Sequence, residues 1–262
     1  MAVDHETVDV VIPTFNSIDF LPEAVESALA QTHHNLRVFV VDDGSNDSTP
    51  DYVRGITDER VTYLRKENGG PASARNAGIR ASDSPYVALL DSDDRWYPQK
   101  LERQLPLIER HDDVALVHAF QHTIDVEGNQ IALLEHDLRG RVFDRLLDGN
   151  FVTGSDSMVL LRREALERVG LFREDIVIGE DWELWLRLAR DYAFDYVPEV
   201  LAAIRARPGL QSQRRLAAAN LIHVYSVVTG SMPLRRRQRA RLARACLGSA
   251  AYDFALEDEV WL

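Results

Sequence analysis

Four short apolar runs, residues 8–12, 36–41, 61–64 and 86–90, alternate with segments of helical spacing. No other feature of this chain restricts its fold as much. Near-continuous apolar strands separated by helices predict a parallel sheet covered on both faces. The intervening segments read as helices over residues 20–30, 48–55 and 70–81. The first places Leu21, Val25, Ala28 and Leu29 on one face, and Asp47 or Ser48 suits the cap of the second.

The pattern changes after residue 98. A helix is expected over 98–110, then longer strands over 114–124 and 130–134 around the turn Glu127-Gly128-Asn129. A strand over 158–161, helices over 163–169 and 180–191, and extended segments over 194–197 and 200–204 follow. From Gln211 the chain reads as helical, interrupted at Gly230 and restarted by Pro233. Residues 1–205 are expected to form one α/β unit, with halves at about 1–98 and 99–205. Residues 206–262 are a helical extension.

With 262 residues, 45% of them hydrophobic, the chain can build a substantial core. No run of 18 apolar residues predicts a membrane span. The first six residues lack the basic-then-apolar order of a signal peptide, and the lone Cys246 excludes an internal disulfide. A cytosolic location is the expectation. The net charge of −12 conceals an asymmetry: from Arg205 to Tyr252 there are ten arginines and no Asp or Glu. Without those ten, 20 basic residues face 42 acidic ones, a balance of −22. Two surfaces of opposite sign imply two kinds of partner.

Three acidic groups carry the chemical signal. Asp91-Ser92-Asp93-Asp94 follows the fourth apolar run, and carboxylates this close repel one another unless a cation intervenes. Their hard oxygens suit Mg²⁺ or Mn²⁺, although an acidic turn before the helix at Pro98 fits the same residues. Asp42 and Asp43 end the second run, where acidic groups can receive a ribose or base N–H. Asp47 and Ser48 are explained as well by a turn and cap. Glu180 and Asp181 open a helix beside Trp182 and Trp185. Helix-dipole capping and a catalytic carboxylate in an apolar setting both fit. A glycine-led segment, residues 68–78, enters the third helix with Arg75 near its start. It has neither P-loop nor dinucleotide-fold spacing. The histidines show no metal-binding spacing; His118 and His122 are candidates for an acceptor cleft.

In order and spacing, these pieces resemble the family 2 glycosyltransferases of GT-A fold. The matching stretches are Val10 to Asn16, Val41-Asp42-Asp43-Gly44-Ser45, Asn68-Gly69-Gly70 with Ala74-Arg75-Asn76-Ala77-Gly78, Leu90 to Asp94 with Trp96 and Pro98, and Gly179-Glu180-Asp181. The resemblance covers roughly residues 8–205. It implies a mixed, mainly parallel sheet flanked by helices, and inverting transfer of a sugar from a nucleoside-diphosphate sugar to an acceptor hydroxyl. Mn²⁺ or Mg²⁺ would assist.

By that resemblance Asp43 contacts the base, with Pro13 and Thr14 lining its pocket, and Asp91 approaches the ribose or the metal. Asp93 ligates the metal and Asp181 is the general base. Asn16, Gly70, Arg75 and Ser92 count with the donor-binding residues. Glu180, Trp182 and Arg205 count as acceptor or diphosphate contacts. Many relatives carry a histidine where this chain reads Arg205-Ala206-Arg207-Pro208-Gly209.

The donor would be of UDP, dTDP or GDP type. The acceptor would be a glycan or lipid-linked glycan in polysaccharide, glycolipid or glycoprotein assembly. No nucleic acid partner is expected. The arginine-rich tail, with Leu234, Leu242 and Leu247 as apolar surface, suggests peripheral attachment at the inner face of a membrane. A catalytically inactive sugar-nucleotide-binding subunit is the alternative, and intact Asp93 and Asp181 argue against it. A nucleotidyltransferase fits less well, because Pro13-Thr14-Phe15-Asn16 replaces the glycine-rich basic loop that chemistry wants.

Overall fold

The computed structural model describes residues 6–152, 155–206 and 214–258. Strands β1 (Val8–Thr14), β2 (Leu36–Asp42), β3 (Val61–Arg65) and β4 (Tyr86–Leu89) lie parallel in the order β3-β2-β1-β4. Helices α1 (Leu21–Leu29), α2 (Thr49–Arg54) and α3 (Pro71–Ala81) connect them. Thr14 pairs with Asp42, and Val11 with Leu89, so the loops leaving β1, β2 and β4 emerge at one sheet edge.

The sheet then becomes mixed. A two-residue strand β5 (Arg95–Trp96) precedes α4 (Lys100–Arg110), β6 (Val114–Ile124) and β7 (Gln130–Leu134). After α5 (Phe143–Leu146) come β8 (Leu160–Arg162), α6 (Arg163–Val169), α7 (Glu180–Asp191) and β9 (Ala193–Arg205). The order continues from β4 through β8, β6 and β9 to β5, and β7 forms a hairpin with β6. Strand β8 runs antiparallel to β4 and β6, whereas β9 runs parallel to β6.

Several sequence expectations shift. Residues 156–158 form a 3₁₀ turn, so the strand expected at 158–161 begins at Leu160. Its entry is pinned by buried side chains. Gln104 Nε2 donates to the carbonyls of Val117 and Met158, and Lys100 Nζ donates to Gln104 Oε1 at 2.8 Å. The Lys100 amine lies 4.2 Å from the centre of the Trp96 ring, and burial holds its pKa well below the usual range. The two extended segments expected after residue 193 are one strand, β9, with a bulge beside Ala119 and Phe120. Neither α5 nor β5 is evident in the sequence, because four- and two-residue elements carry too little periodicity.

The tail forms α8 (Arg214–Ser231) and α9 (Arg236–Asp258). It is not a separate appendage. Val224, Val228, Met232, Leu242 and Cys246 join the cluster that contains Trp182, Leu184 and Trp185 of α7. Leu242 is therefore interior rather than surface, and the Leu247 side chain lies outside the described residues, as do Arg207, Pro208 and Gly209.

Helix α3 lies tightly on the sheet at Gly78. A Cβ there would run into the side chains of Val11 and Val41. Gly78→Ala is expected to destabilise the fold by about 1–3 kcal/mol through overpacking. A denaturation midpoint equal to wild type would show that the helix can shift away.

His118 on β6 is fully buried, with Nε2 donating to the Leu138 carbonyl at 3.0 Å and its ring stacked on Tyr196. It does not line a cleft. Burial lowers its pKa from 6.5 to about 4. Across that window the unfolded chain binds a proton that the folded chain refuses, so stability falls as pH falls from about 6.5 towards 4. His118→Gln keeps a donor and is expected to lose less stability than wild type over that range. Parallel pH curves would contradict this account.

Candidate active site

The edge where β1, β2 and β4 end carries two groups of side chains. The first surrounds Asp43. Its backbone N–H donates to the Thr14 carbonyl at 2.9 Å. Its carboxylate accepts from the N–H groups of Gly69 and Gly70, at 3.0 Å and 2.7 Å, and from Lys66 Nζ at 2.6 Å. Asp43 thus clasps the glycine loop to β2. Gly70 has φ +86°, a conformation that favours glycine, and it sets the entry of α3.

Asn16 has φ +48° and is held by the neighbouring turn: its N–H donates to Ser45 Oγ, and its Oδ1 accepts from the Asn46 N–H. Pro13 and Thr14 are buried, and Thr14 Oγ1 has no hydrogen-bond partner among the described residues. A buried unpaired hydroxyl is uncommon, and here it sits at a strand end beside Asp43.

The second group is built on Arg75. This guanidinium, in the second turn of α3, is buried and contacts three carboxylates. Nη2 lies 2.8 Å from Asp91 and 2.9 Å from Asp156, and Nη1 lies 2.9 Å from Glu180. Asn76, the next residue, fixes α3 against the chain before α7. It donates to the Phe172 carbonyl and accepts from the Phe172 N–H. Gly179, at φ +86°, then turns the chain into α7, so Glu180 meets Arg75. Burial alone would depress the Arg75 pKa, but Asp156, Asp91 and Glu180 outweigh it and hold it well above normal. Burial pushes the Asp156 and Glu180 carboxyls upward, with Arg75 opposing and Asp181 adding to the rise.

Asp181 stands beside this group. Asn150 Nδ2 donates to its Oδ2 at 2.6 Å, and the Trp182 N–H to its Oδ1 at 2.7 Å. Burial raises its pKa, with the Trp182 N–H, Arg75 and Asn150 opposing. It is a partly accessible carboxylate with raised basicity, fixed at a helix start.

The loop after β4 is anchored by serines. Ser155 Oγ lies 3.0 Å from Asp91 Oδ2 and 2.7 Å from Asp94 Oδ2, and Ser157 Oγ lies 2.6 Å from the same Asp94 oxygen. Each hydroxyl donates only once. A protonated Asp94 resolves the excess of acceptors, and burial, with Asp91 and Asp93 adding to it, pushes Asp94 to about 8. Asp93 is half-buried and Ser92 is buried in this loop.

Two expected contacts fall elsewhere. Arg205 is committed to structure: Nε donates to the Asp93 carbonyl, Nη1 to the carbonyls of Asp125 and Val126, and Nη2 to Glu23 at 2.6 Å. Its backbone N–H donates to Asp94 at 2.8 Å. Its side-chain bonds take four of its five guanidinium N–H groups, and through them it pegs the acidic loop in place. Trp182 is a core residue whose Nε1 donates to the Leu146 carbonyl. His122 is tied to the Tyr97 hydroxyl at 2.8 Å. Asn150, Ser155, Asp156 and Ser157 were missed by the sequence reading. Asp156, two residues before the apolar run that starts at Met158, was the one available signal; the others had none.

Comparison with known proteins places the chain in a family. The family described as Glycosyl transferase family 2 matches residues 9–170. An uncharacterized glycosyltransferase of Rickettsia bellii is 35% identical over 202 residues, 76% of this chain and 29% of that protein. The succinoglycan biosynthesis protein ExoO of Rhizobium meliloti is 34% identical over 187 residues, 66% of this chain and 53% of that protein. The chain thus spans under a third of the first relative and about half of the second.

Among solved structures, the mannosyltransferase PcManGT of Pyrobaculum calidifontis, in complex with GDP-Man and Mn²⁺, superposes with a TM-score of 0.69 at 20% identity. That likeness covers 97% of this chain and 76% of PcManGT. TarS 1-349 of S. aureus, in complex with UDP-GlcNAc, gives 0.67 at 18% identity, covering 91% of this chain and 71% of TarS. The sheet is that of the GT-A fold, and the chain belongs to the family 2 glycosyltransferases.

Proposed function

We propose that this chain moves a sugar, with inversion, from a nucleoside-diphosphate sugar to an acceptor hydroxyl. The observation that carries this reading is the meeting of Asp181, Asp91 and the Asp93 loop at one sheet edge around Arg75. In this reading Pro13, Thr14 and Asp43 form the base pocket, and Asn16, Gly70, Arg75, Asp91 and Ser92 shape or contact the donor site. The neighbours bound to GDP-Man and UDP-GlcNAc support a nucleotide-sugar donor.

A single displacement accounts for the residues present. The acceptor oxygen forms a bond to the anomeric carbon as the bond to the diphosphate breaks on the opposite face. Asp181 takes the acceptor proton, and no side-chain nucleophile is needed. Asn150 and the Trp182 N–H aim its oxygens, while burial strengthens its hold on a proton. Glu180 is occupied by Arg75 and keeps that base oriented rather than competing for the proton.

The donor set also fits a divalent cation. Among the described residues no three His, Cys, Asp or Glu side chains are close enough to form an ion cage. Mg²⁺ and Mn²⁺ sites of this class use one or two carboxylates and complete their shell with substrate phosphates and water. Asp93, half-buried on the loop fixed by Arg205, is the proposed ligand. When bound, such an ion would offset the charge on the departing diphosphate. PcManGT, solved with Mn²⁺, supports this choice.

Thermal unfolding against a panel of UDP-, dTDP- and GDP-sugars, with Mn²⁺, Mg²⁺ or EDTA, tests the reading. One nucleotide class is expected to raise Tm only when metal is present, and Asp93→Ala to erase that rise. Asp181→Asn is expected to keep the donor shift while transfer drops by roughly 10²-fold or more. Equal stabilisation in EDTA would remove the metal. Wild-type turnover in Asp181→Asn would remove the base. Donor binding without transfer or donor hydrolysis would favour the inactive alternative.

A further inference from the structure

Helix α9 presents an unbalanced positive surface. Leu242 and Cys246 face the core, and at about 100° per residue Arg237 and Arg244 fall on the opposite side, with Arg236 on one flank. All three are exposed. Arg241, on the flank, reaches back to Asp148 at 2.6 Å. Arg236 and Arg239, Arg237 and Arg241, and Arg241 and Arg244 stand three or four residues apart, spacings at which like charges repel on a helix. Helix α9 itself carries no Asp or Glu before Asp253; from outside it Asp148 pairs with Arg241 and lies within electrostatic reach of Arg244, which leaves Arg236, Arg237 and Arg239 the least balanced. A solvated helix face ordinarily mixes both signs; this one keeps a repulsion that an external anion would relieve.

We propose that α9 docks this protein on an anionic phospholipid surface. The arginines are rigidly presented, because α8 and α9 share the core of α7. The acidic remainder would be repelled by such a surface, so only the α9 side can approach. Screening over roughly 10 Å lets the local arginines outweigh the net charge.

The position has a consequence for the site. The loop that gives Asp148 to Arg241 also gives Asn150 to Asp181, two residues later. A lipid surface under α9 therefore lies on the flank of the candidate base. If the proposed transfer reaction holds, this is where a lipid-linked acceptor would present its hydroxyl.

Co-sedimentation with phosphatidylcholine vesicles, with and without phosphatidylglycerol, decides the question without any activity assay. Binding is expected only to the anionic vesicles and should weaken as salt rises. The triple change Arg236→Gln, Arg237→Gln and Arg244→Gln should reduce partitioning by about 100-fold at low salt, roughly fivefold per arginine. Its melting temperature should not fall below wild type and its donor-induced shift should stay at the wild-type value, which separates this result from the fate of the donor-site reading. Equal pelleting with both vesicle types, pelleting with neither, an undiminished triple variant, or binding to a duplex oligonucleotide but not to vesicles would each overturn the proposal.

Discussion

One buried cation organises the acidic edge of the sheet. The Arg75 guanidinium touches carboxylates from three separate stretches: Asp91 after β4, Asp156 before β8, and Glu180 at the start of α7. Without it, three carboxylates would share a region with little water. Buried charges are costly unless paired, and losing one partner costs more than the pair contributes. The positions of Asp91 and Asp181, which depend on those stretches, follow from this single side chain. Even with Arg75 present, burial holds the pKa values of Asp156 and Glu180 above normal, and Asp181 adds to the rise.

The parts around Arg75 are held from behind. Gln104 and Lys100 secure the carbonyls of Val117, Met158 and Val159, which fixes the turn bearing Asp156 and Ser157. Arg205 secures the Asp93 carbonyl from the end of β9, and Asn76 locks α3 to the segment leading into α7. At the other end of β1, buried Asp9 accepts from Arg37 at 2.8 Å and from the N–H groups of Asp83 and Ser84. The elements that carry Asp43, Asp91, Asp93 and Asp181 are thus locked together by polar contacts, as a site that must keep its geometry requires.

The sequence disclosed the parts with a period or a charge pattern. The four parallel strands were legible because each is a short apolar run between helices. Asp43, Asp91, Asp93 and Asp181 were legible because acidic residues at strand exits and helix starts stand out from such runs. Asn150, Ser155 and Ser157 had no such mark; the serines act by folding back from more than 60 residues away onto Asp91 and Asp94, and Asn150 meets Asp181 from 31 residues away. Arg205 and Trp182 show the converse error. An arginine and a tryptophan near acidic motifs suggested ligand contacts, but backbone carbonyls distant in sequence, and Glu23, take the donors that the structure shows. Burial of the tail helices was equally hidden, because an arginine-rich helix needs only a narrow apolar stripe, here Leu242 and Cys246, to join a core.

The central claim is that Arg75 holds the acidic edge together. Denaturant unfolding of Arg75→Met measures it most directly, alone and combined with Asp156→Asn. The single change is expected to cost about 3–5 kcal/mol, the usual penalty for a buried ion pair stripped of one partner. Adding Asp156→Asn should recover part of that loss, because one of the stranded charges is gone. A loss below about 1 kcal/mol in Arg75→Met, or no recovery in the double variant, would mean that the edge is held by something else.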